Sequence, residues 1–322
     1  MTVDLDLLVI GDANPDVVLH GAPATLAYGQ AEQLVESGTL TVGGSAAILA
    51  CGAARLGLRT GLVATVGSDA AGRFMLDELQ ARGVEVSGLR VVENMPSGLT
   101  VALVRNDDRA IVTFPGCIDA LSADMVGPGL LGSARHVHVS SFFLQPRLTS
   151  GLRSLFAAAR AAGAGTSLDL NWDPAEQWDG GLADVLPAVD VLFVNAAEAA
   201  AVSDAADPVV AATILAARGP LAVIKLGAAG ALAHDGRRLS RVSAPGVTVV
   251  DTVGSGDSFD AGFLCGRSLG WEVSRCLALG VACGSLSARG AGGVEAQPTR
   301  EQALDAIEDL LPGSGGDAQP KG

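Results

Sequence analysis

The chain has 322 residues, of which 49% are hydrophobic and only 17% are charged. This composition supplies enough apolar surface for a large core and excludes a globally disordered chain. The formal net charge is −14 at pH 7, and no cluster of Lys and Arg provides the basic surface that a nucleic-acid binder needs. We therefore expect no nucleic-acid partner. An anionic ligand held by local backbone amides is still compatible with this charge.

The sequence also bears on compartment. No segment approaches the roughly 18 consecutive apolar residues of a membrane-spanning helix, and the first residues lack the basic and apolar regions of a signal peptide. The cysteines are Cys51, Cys117, Cys265, Cys276 and Cys283, an odd number without a CxxC pair. This pattern favours reduced thiols. We expect a cytoplasmic protein without a membrane partner.

Short apolar runs alternate with helical stretches along most of the chain. The predicted strands are Leu7–Ile10, Thr60–Val66, His136–Ser140, Ser167–Leu170, Val189–Val194 and Leu221–Leu226. The predicted helices are Ser45–Leu56, Ala70–Ala81, Thr149–Ala162, Ala196–Val202 and Pro208–Ala217. Alternation of this kind predicts an α/β fold with a mostly parallel central sheet and helices on both faces.

Two segments interrupt this alternation. Residues 14–40 have no strong helical period, and residues 90–115 contain the strand-like runs Leu99–Val104 and Ala110–Phe114. Asn106–Asp108 separates these two runs, which predicts a hairpin. The predicted division is an α/β body of residues 1–13, 41–89 and 116–312, a small β-sheet lid of residues 14–40 and 90–115, and a flexible tail of residues 313–322.

The segment Asp251–Phe263 carries the strongest chemical signal. A strand leads through Gly254 and Gly256 into a helix that begins close to Asp257. Glycines tolerate backbone conformations in which consecutive N–H groups converge, and the positive end of the helix adds to them, so the loop is suited to hold a phosphoryl group. We expect the helix dipole to keep Asp257 ionised, so that it can accept a hydroxyl proton. Taken alone, the motif is also compatible with an Asp that only caps the helix.

The same segment resembles the signature D-T-x-G-A-G-D-x-F-x-x-G-F of the ribokinase-like family of sugar kinases, also called the phosphofructokinase-B family. Ser255 stands where the family usually has Ala. Further segments resemble the family in its order, namely Gly43–Gly44, Val66–Gly72, Arg82–Val86, Asn195–Glu198 and Leu226–Gly230. The resemblance covers roughly residues 5–310. It implies a ribokinase-like fold and an ATP-dependent phosphotransferase that acts on a hydroxyl group of a small sugar or sugar-like acceptor.

The resemblance implies roles for individual residues of the loop around Gly254–Gly256, which we call the phosphoryl-transfer loop. Asp257 is the expected catalytic base and also contacts the acceptor. The backbone amides of Gly254, Ser255 and Gly256 are expected to stabilise the charge on the transferring phosphoryl group. Asp251, together with the loop around residues 287–293, is the place where many members of the family bind a monovalent cation such as K⁺.

The resemblance also implies an ATP site. Asn195 and Glu198 match a motif that serves the phosphates of ATP, with Glu198 reaching Mg²⁺ through water. Without the other motifs, this pair is also compatible with an ordinary helix start that has a capping Asn. Lys225, Gly227 and Gly230 match the turn on the nucleotide side, where Lys225 either contacts phosphate or is solvated. ATP and Mg²⁺ are therefore the expected cofactors, with K⁺ as an optional third.

On the acceptor side, Asn14 and Asp16 match the family's N-x-D, whose side chains hydrogen-bond sugar hydroxyls. A carboxylate and an amide suit vicinal diols because each can form two hydrogen bonds. The alternative is a turn-forming Asn-Pro-Asp. Gly43 and Gly44 would let the backbone approach the sugar.

Three positions depart from the family pattern around the acceptor. Ile48 stands where sugar kinases commonly carry Asn, Phe142–Leu144 is apolar where a polar sugar contact is common, and Asp173 stands where Arg often follows the D-x-N motif. A carboxylate at position 173 argues against an anionic acceptor such as a sugar phosphate. A nucleoside is therefore the alternative acceptor, and a non-catalytic ligand-binding protein on the same scaffold is a third interpretation.

The family resemblance further favours a two-fold homodimer through the lid. Val101 and Leu103 share one face of the first lid strand of the hairpin, and Val112 and Phe114 share one face of the second. These four side chains would supply the contact, and Thr113 would point the other way.

Overall fold

The computed structural model describes residues 5–105, 108–308 and 310. In chain order the strands are β1 (Leu7–Ile10), β2 (Asn14–His20), β3 (Ser37–Gly43), β4 (Thr60–Val63), β5 (Thr65–Gly67), β6 (Arg90–Val92), β7 (Leu99–Arg105), β8 (Asp108–Phe114), β9 (His136–Val139), β10 (Gly165–Asp169), β11 (Val191–Asn195), β12 (Leu221–Lys225), β13 (Ala231–His234) and β14 (Leu239–Val242).

The α-helices are α1 (Ser45–Arg55), α2 (Ala70–Ala81), α3 (Pro128–Leu131), α4 (Pro146–Ala161), α5 (Leu182–Val185), α6 (Ala196–Ser203), α7 (Pro208–Ala216), α8 (Ser255–Ser268), α9 (Val273–Ser287) and α10 (Arg300–Glu308). Short 3₁₀ helices cover Ile118–Ala120, Ala123–Met125, Phe142–Leu144, Leu186–Ala188 and Gly227–Ala229.

The central sheet has eight strands in the order β14-β13-β12-β11-β10-β9-β1-β4. All neighbours from β12 to β4 are parallel, and β13 and β14 add an antiparallel edge. Apolar cores lie on both faces of this sheet, one built largely on α1, α8 and α9 and the other on α4, α6 and α7. The expected α/β fold with a mostly parallel sheet is therefore confirmed, because strands buried on both faces leave continuous apolar runs in the sequence.

One predicted strand was wrong in its extent. Thr60–Val66 is interrupted after Val63, so that β4 joins the central sheet and β5 pairs with β6 in a separate two-stranded sheet. Every residue of the run is buried. Because burial does not change at the break, the apolar pattern cannot reveal it.

A second, four-stranded sheet has the order β3-β2-β7-β8 and forms the lid. The predicted hairpin is present as β7 and β8, and Asn106 and Asp107 at its turn lie outside the described residues. β3 runs past residue 40 to Gly43, whereas residues 90–92 pair with β5 instead of the lid. The exact domain boundaries stay a prediction, and the tail of residues 313–322 lies outside the described residues.

The two faces of the lid differ in character. Val101 is paired with Val112, and Thr100 with Thr113, so these two pairs lie on opposite faces. The two threonine hydroxyls are 3.1 Å apart. On the other face Val112 is 64% exposed and Phe114 is 52% exposed. The apolar face expected from the sequence thus remains uncovered within one chain.

Within the described ranges, no single helix is both long and apolar enough to cross a membrane, although α6 and α7, bent by 58° at their junction, meet those criteria as a pair by length and composition alone.

Candidate active site

The loop before α8 is tied to the loop that follows α9. The carboxylate of Asp251 accepts hydrogen bonds from the backbone N–H of Val253 and of Gly292, each at 2.9 Å. Gly254 has a φ of 69°, and a Cβ placed on it would lie 2.7 Å from Cα of Gly293. Glycine is therefore required by both torsion and contact. The structure brings together the two segments expected to form the monovalent cation site.

The first turn of α8 presents its backbone N–H groups at the end of this loop. The N–H of Ser258 donates to the carbonyl oxygen of Gly254 at 2.9 Å, which begins the hydrogen bonds within the helix. The N–H of Ser255 donates to Thr252 at 3.2 Å and so is already engaged in the turn. The N–H groups of Gly256 and Asp257 have no acceptor within the helix, because they lie in its first turn. The expected set of amides is thus shifted by about one residue into the helix.

Asp257 is the third residue of α8 and is only 8% exposed. Burial raises its pKa to about 7, with Asp169 and Asp12 adding to the rise, whereas the positive charge of Lys225 and a hydrogen bond from the Ser45 side chain act against it. Loss of hydration and nearby negative charge therefore oppose the ionised form that we expected the helix dipole to favour.

The sequence left two alternatives for Lys225, a contact with phosphate or a solvated side chain. In the structure its ammonium group is instead engaged in ion pairs. Its ammonium donates to Asp169 at 2.6 Å and to Asp260 at 3.0 Å. Burial opposes its charge, but the two carboxylates outweigh that effect and raise the pKa of Lys225. A Cβ placed on Gly256 would lie 3.4 Å from this ammonium. The buried cation therefore adjoins the first turn of α8.

A cavity of about 360 Å³ adjoins that turn. Among its lining residues are Lys225, Gly227, Gly230, Ser255 and Gly256, which the sequence had assigned to ATP or to the phosphoryl group. Its volume is within the usual range for small-molecule sites. A larger cavity of about 640 Å³ lies beside α4 and contains none of the predicted site residues. We regard the smaller cavity as the nucleotide site because it opens onto α8.

The two glycines of the nucleotide turn are needed for different reasons. Gly227 has a φ of 57° and open space around its missing side chain, whereas a Cβ on Gly230 would collide with the carbonyl oxygen of Val242. The absence of a side chain at Gly230 therefore lets β14 pack closely against this turn, whereas the space beside Gly227 is open.

Several residues that line the cavity were not foreseen. They are Ala228, Ala244, Pro245, Gly246, Val247, Val249, Thr252, Phe259, Val281, Gly284, Ser285 and Ala288. The small residues of α9 among them are a recognisable signal, because a helix bordering a ligand must leave room for it.

Asn195 and Glu198 form the start of α6. The Asn195 side chain accepts from the N–H groups of Ala197 and Glu198, and the Glu198 carboxylate accepts from the Asn195 backbone and side chain. This reciprocal arrangement is a capping box, so the structural alternative considered from the sequence is present. Glu198 is also 3% exposed, and burial, with the charge of Asp169, raises its pKa to about 7.

The described residues fit an Mg²⁺ ion that is bound largely through water, and not one that is enclosed by protein ligands. No group of three or more His, Cys, Asp or Glu side chains in this part of the chain converges to hold a metal ion. However, Asp169 and Asp260 each have one carboxylate oxygen without a hydrogen-bond partner in the interior, and burial, with the charge of Asp169, raises the pKa of the nearby Glu198 carboxyl. This oxygen-rich, acidic surrounding suits a hard cation that retains its waters. Glu198, through water, and phosphate oxygens would hold it.

On the acceptor side, Asn14 and Asp16 lie at the start of the lid. The Asn14 amide donates to Asp16 at 3.0 Å and to the Thr100 hydroxyl at 3.1 Å. Burial raises the pKa of Asp16 to about 7, and the charge of Asp12 adds to the rise. A Cβ on Gly43 would collide with the Asp16 carboxylate. Gly43 therefore allows the backbone to approach Asp16.

Asp12, which the sequence analysis did not single out, organises the start of α1. Its carboxylate accepts from the N–H groups of Ser45 and Ala46, each at 3.1 Å. Gly44 precedes the helix with a φ of 82° and has no side chain to cap it, so the Asp12 carboxylate caps the helix instead. A Cβ on Gly44 would lie 2.8 Å from the Asp12 carbonyl oxygen. An Asp directly after the first strand is a signal that could have been noted.

Two of the apolar departures from the family pattern are core positions. Ile48 is 3% exposed and lies against Gly254 and Gly293, beneath the phosphoryl-transfer loop. Phe142 is 1% exposed and belongs to the core of the face that contains α4. Neither side chain forms a slot for a nucleobase.

The third departure, Asp173, was misinterpreted. Its carboxylate accepts hydrogen bonds from the backbone N–H groups of Ala175, Gln177 and Trp178 at 2.7–2.9 Å. The charge is thus used within its own loop, and the argument against an anionic acceptor loses its basis.

The lid contributes one cation to the site. Arg109 on β8 donates to the Thr252 hydroxyl at 2.8 Å, and its positive charge lowers the pKa of Asp16 against the effect of burial. Arg109 is paired with Val104, so it lies on the face of the lid that is turned towards the body. One lid side chain therefore connects the acceptor side with the loop before α8.

Comparison with known proteins agrees with this geometry. Residues 4–300 match the family described as pfkB family carbohydrate kinase. An ATP-dependent ribose-1-phosphate kinase of Halopiger xanaduensis is 30% identical over 95% of this chain and 97% of its own length. Among solved structures, a putative ribokinase II of E. coli in complex with ATP and Mg²⁺ has a TM-score of 0.81 at 22% identity, over 95% of this chain and 99% of that chain. Adenosine kinase of Sinorhizobium meliloti has a TM-score of 0.81 at 25% identity, over 95% and 100%.

The fold, with its central sheet and its lid sheet, is ribokinase-like. The chain belongs to the pfkB family of carbohydrate kinases, and it phosphorylates a sugar at the expense of ATP.

Proposed function

We propose that the enzyme transfers the terminal phosphoryl group of ATP to a hydroxyl group of a small sugar, with Asp257 as the catalytic base. The bond from phosphorus to ADP breaks, a bond to the acceptor oxygen forms, and the hydroxyl proton goes to Asp257. The observation that carries this proposal is the position of Asp257, which is buried in the first turn of α8 between the nucleotide cavity and Asp12 of the acceptor side. A pKa near 7 suits a base that works at neutral pH.

In this proposal the N–H groups of Gly256 and Asp257 in the first turn of α8 hold the phosphoryl group, and Gly254 and Ser255 form the turn that presents them. Gly227 and Gly230 line the nucleotide site, where Gly230 also lets β14 pack closely, and Lys225 provides positive charge beside it. When bound, Mg²⁺ neutralises phosphate charge, and Glu198, oriented by Asn195, would contact its water shell. The juxtaposition of Asp251 with Gly292 supports a K⁺ site as an addition to this set.

For the acceptor, we propose that Asp16 and Asn14 hydrogen-bond the sugar hydroxyls next to the backbone of Gly43 and Gly44. The buried Asp16 carboxyl, held by Asn14 at 3.0 Å, is suited to this because it is rigid and still has accepting capacity.

A sugar phosphate is a second candidate acceptor. Arg109 lies on the body-facing side of the lid within electrostatic reach of Asp16, and Asp173 no longer argues against an anion. The ribose-1-phosphate kinase relative supports the same class. A nucleoside acceptor, as in the adenosine kinase neighbour, remains a third alternative, although Ile48 and Phe142 provide no base slot.

We further propose a homodimer that covers the apolar lid face, on which Val112 and Phe114 of β8 are 64% and 52% exposed. We also propose a cytoplasmic location, where ATP is supplied and where the five cysteines, all free and buried, stay reduced.

The experiment is ATP consumption by the purified protein with a panel of ribose, fructose, ribose-1-phosphate and adenosine, each with Mg²⁺ and again with chelator. Asp257→Asn should lower turnover by roughly two to four orders of magnitude, the scale of general-base loss, without loss of ATP binding. Asp305→Asn, an exposed carboxyl on α10, is the matched control. Near wild-type turnover of Asp257→Asn would refute the base, and activity with chelator would refute the metal.

A further inference from the structure

Gln297 lies in the loop between α9 and α10, and its contacts determine how its side-chain amide is oriented. The residue is only 2% exposed. Its Nε2 lies 2.9 Å from the backbone carbonyl oxygen of Ile48. A carbonyl oxygen can only accept, so this end of the amide must be the nitrogen. The same Nε2 donates its second hydrogen to the hydroxyl oxygen of Ser258 at 3.1 Å.

The two acceptors of this amide belong to the first turns of two different helices. Ile48 is the fourth residue of α1, and Ser258 is the fourth residue of α8. They are 249 and 39 positions away from Gln297 along the chain. The two helices pack against each other. One buried amide therefore links them close to their N-terminal ends.

A glycine inside α1 makes room for this amide. A Cβ placed on Gly52 would lie 2.9 Å from Nε2 of Gln297 and 3.2 Å from the Cβ of Ala261 on α8. Glycine in a helix interior costs about 0.5–1 kcal/mol relative to alanine. The Ile48 carbonyl is also the regular α-helical acceptor for the N–H of Gly52, so it accepts two hydrogen bonds. The contact with Gln297 is thus an addition to α1 and does not replace a missing helix bond.

The N-terminal ends of α1 and α8 form two sides of the candidate active site. α1 begins after Gly44 on the acceptor side, and α8 presents Gly256 and Asp257 on the phosphoryl side. The side chain of Ile48 also lies against Gly254 of the phosphoryl-transfer loop. A hydrogen bond and a packing contact therefore hold the two helices at neighbouring points. Any change in their separation would change the distance between the acceptor and the phosphoryl group.

We propose that Gln297 is a positioning residue for phosphoryl transfer, because its amide fixes the first turn of α1 relative to that of α8. The proposal rests on the proposed function given above, and Gln297 acts through the two helices. Reacting atoms must be held about 3–3.5 Å apart, and a misplacement of about 1 Å can cost on the order of 100-fold in rate. Since each substrate binds largely beside one of the two helices, their separation affects the transfer step more than either binding step.

The test compares Gln297→Met with the wild-type protein, using ATP, Mg²⁺ and the best acceptor of the panel above. Methionine is unbranched and can occupy the same space, but it donates no hydrogen bond. We expect kcat to decrease by about 10- to 100-fold, with little change in the KM for ATP or for the acceptor. Gln80→Met, at an exposed position on α2, is the matched control. A lower melting temperature with an unchanged kcat would show that Gln297 is only structural and would overturn the proposal.

Ser258→Ala provides a second variant in case Gln297→Met does not fold. It removes the contact of the amide with α8 and leaves its contact with α1. Because the link needs both contacts, we expect a decrease in kcat comparable to that of Gln297→Met. Ser150→Ala, which removes an exposed hydroxyl on α4, is the control. Wild-type kcat in folded Ser258→Ala would also overturn the proposal.

The double variant Gln297→Met with Ser258→Ala shows whether the two side chains act together. If they form one link between the helices, the double variant is no slower than the slower of the two single variants. Strictly multiplied losses would refute the link. These variants leave Asp257 in place, so the outcome is separate from that of the proposed function. Near wild-type turnover of Asp257→Asn would refute the base, whereas the comparison of Gln297 with Ser258 would still decide the positioning role.

Discussion

At the scale of single residues, the Asp257 carboxyl is subject to opposing influences. Burial, Asp169 and Asp12 favour its neutral form, whereas Lys225 and Ser45 favour its charged form. The resulting pKa of about 7 means that protonation of this group competes with catalysis in the neutral range. The balance depends on residues distant in sequence, so that each of them becomes a means of changing the pH dependence of the enzyme.

We therefore expect kcat/KM to rise with pH up to about 7 and to level off above it, since the base must be ionised. Asp12→Asn removes a negative neighbour and should move the midpoint to lower pH. Lys225→Met removes a positive neighbour and should move it to higher pH, although the unpaired Asp169 and Asp260 will cost about 3–5 kcal/mol of stability. Profiles between pH 5.5 and 9, with folding checked by circular dichroism, test this. Shifts in the same direction for both variants would contradict the assignment.

At the scale of secondary-structure elements, the lid is connected to the nucleotide side through β8. Arg109 reaches Thr252, which lines the nucleotide cavity, while Asn14 and Asp16 at the start of β2 belong to the same sheet. A movement of this sheet would therefore affect both substrates at once. Closure of such a lid excludes water, which competes with the acceptor for the phosphoryl group.

Arg109→Ala should lower kcat/KM for the acceptor by about tenfold, the value of one charged hydrogen bond, and should increase the fraction of ATP lost to hydrolysis. Arg105→Ala, on the paired strand β7, is the control, because Arg105 is also exposed. Coupled assays for ADP and for phosphorylated acceptor measure both quantities. The double variant with Thr252→Val should show less than the sum of the single effects; strict additivity would mean that the two side chains act separately.

At the scale of the whole molecule, the sequence predicted what depends on local pattern. The helix Ala70–Ala81 was predicted at its observed bounds, because it has an apolar face and Gly83 follows it with a φ of 79°. Gly227 and Gly256 were expected on the nucleotide side and both line the cavity at α8, because each glycine-rich turn is a local pattern. The role of Asp257 stays a prediction.

The predictions that failed concern side chains whose environment depends on the assembled fold. Lys225 was expected either to contact phosphate or to be solvated, and its ion pairs were not foreseen, because its partners Asp169 and Asp260 are 56 and 35 positions away. Asp173 was read as facing the acceptor, because no local pattern shows that its carboxylate turns back onto its own loop. The raised pKa of Asp257 was missed for the same reason, since burial belongs to the assembled fold.

The uncovered lid face leads to a prediction about assembly. Val112 is 64% exposed on an apolar strand, which is unfavourable in water unless another surface covers it. We expect the protein to sediment as a dimer and Val112→Asp to sediment as a monomer, because a buried unpaired charge is costly. Val210→Asp on α7, a position that is 50% exposed, should leave the dimer intact. A monomeric wild-type protein in analytical ultracentrifugation would contradict the proposed dimer, but it would not affect the assignment of the lid.

The three buried carboxyls with a pKa near 7, Asp16, Glu198 and Asp257, have a further consequence for how ligands bind. Each is therefore partly protonated in the neutral range, so a ligand that draws on their negative charge must displace hydrogen ions into the solvent. Those ions are taken up by the buffer, whose own heat of ionisation then becomes part of what a calorimeter records. Titration of Mg²⁺–ATP in phosphate and in Tris would consequently give different apparent enthalpies at the same affinity, and their difference would count the hydrogen ions released.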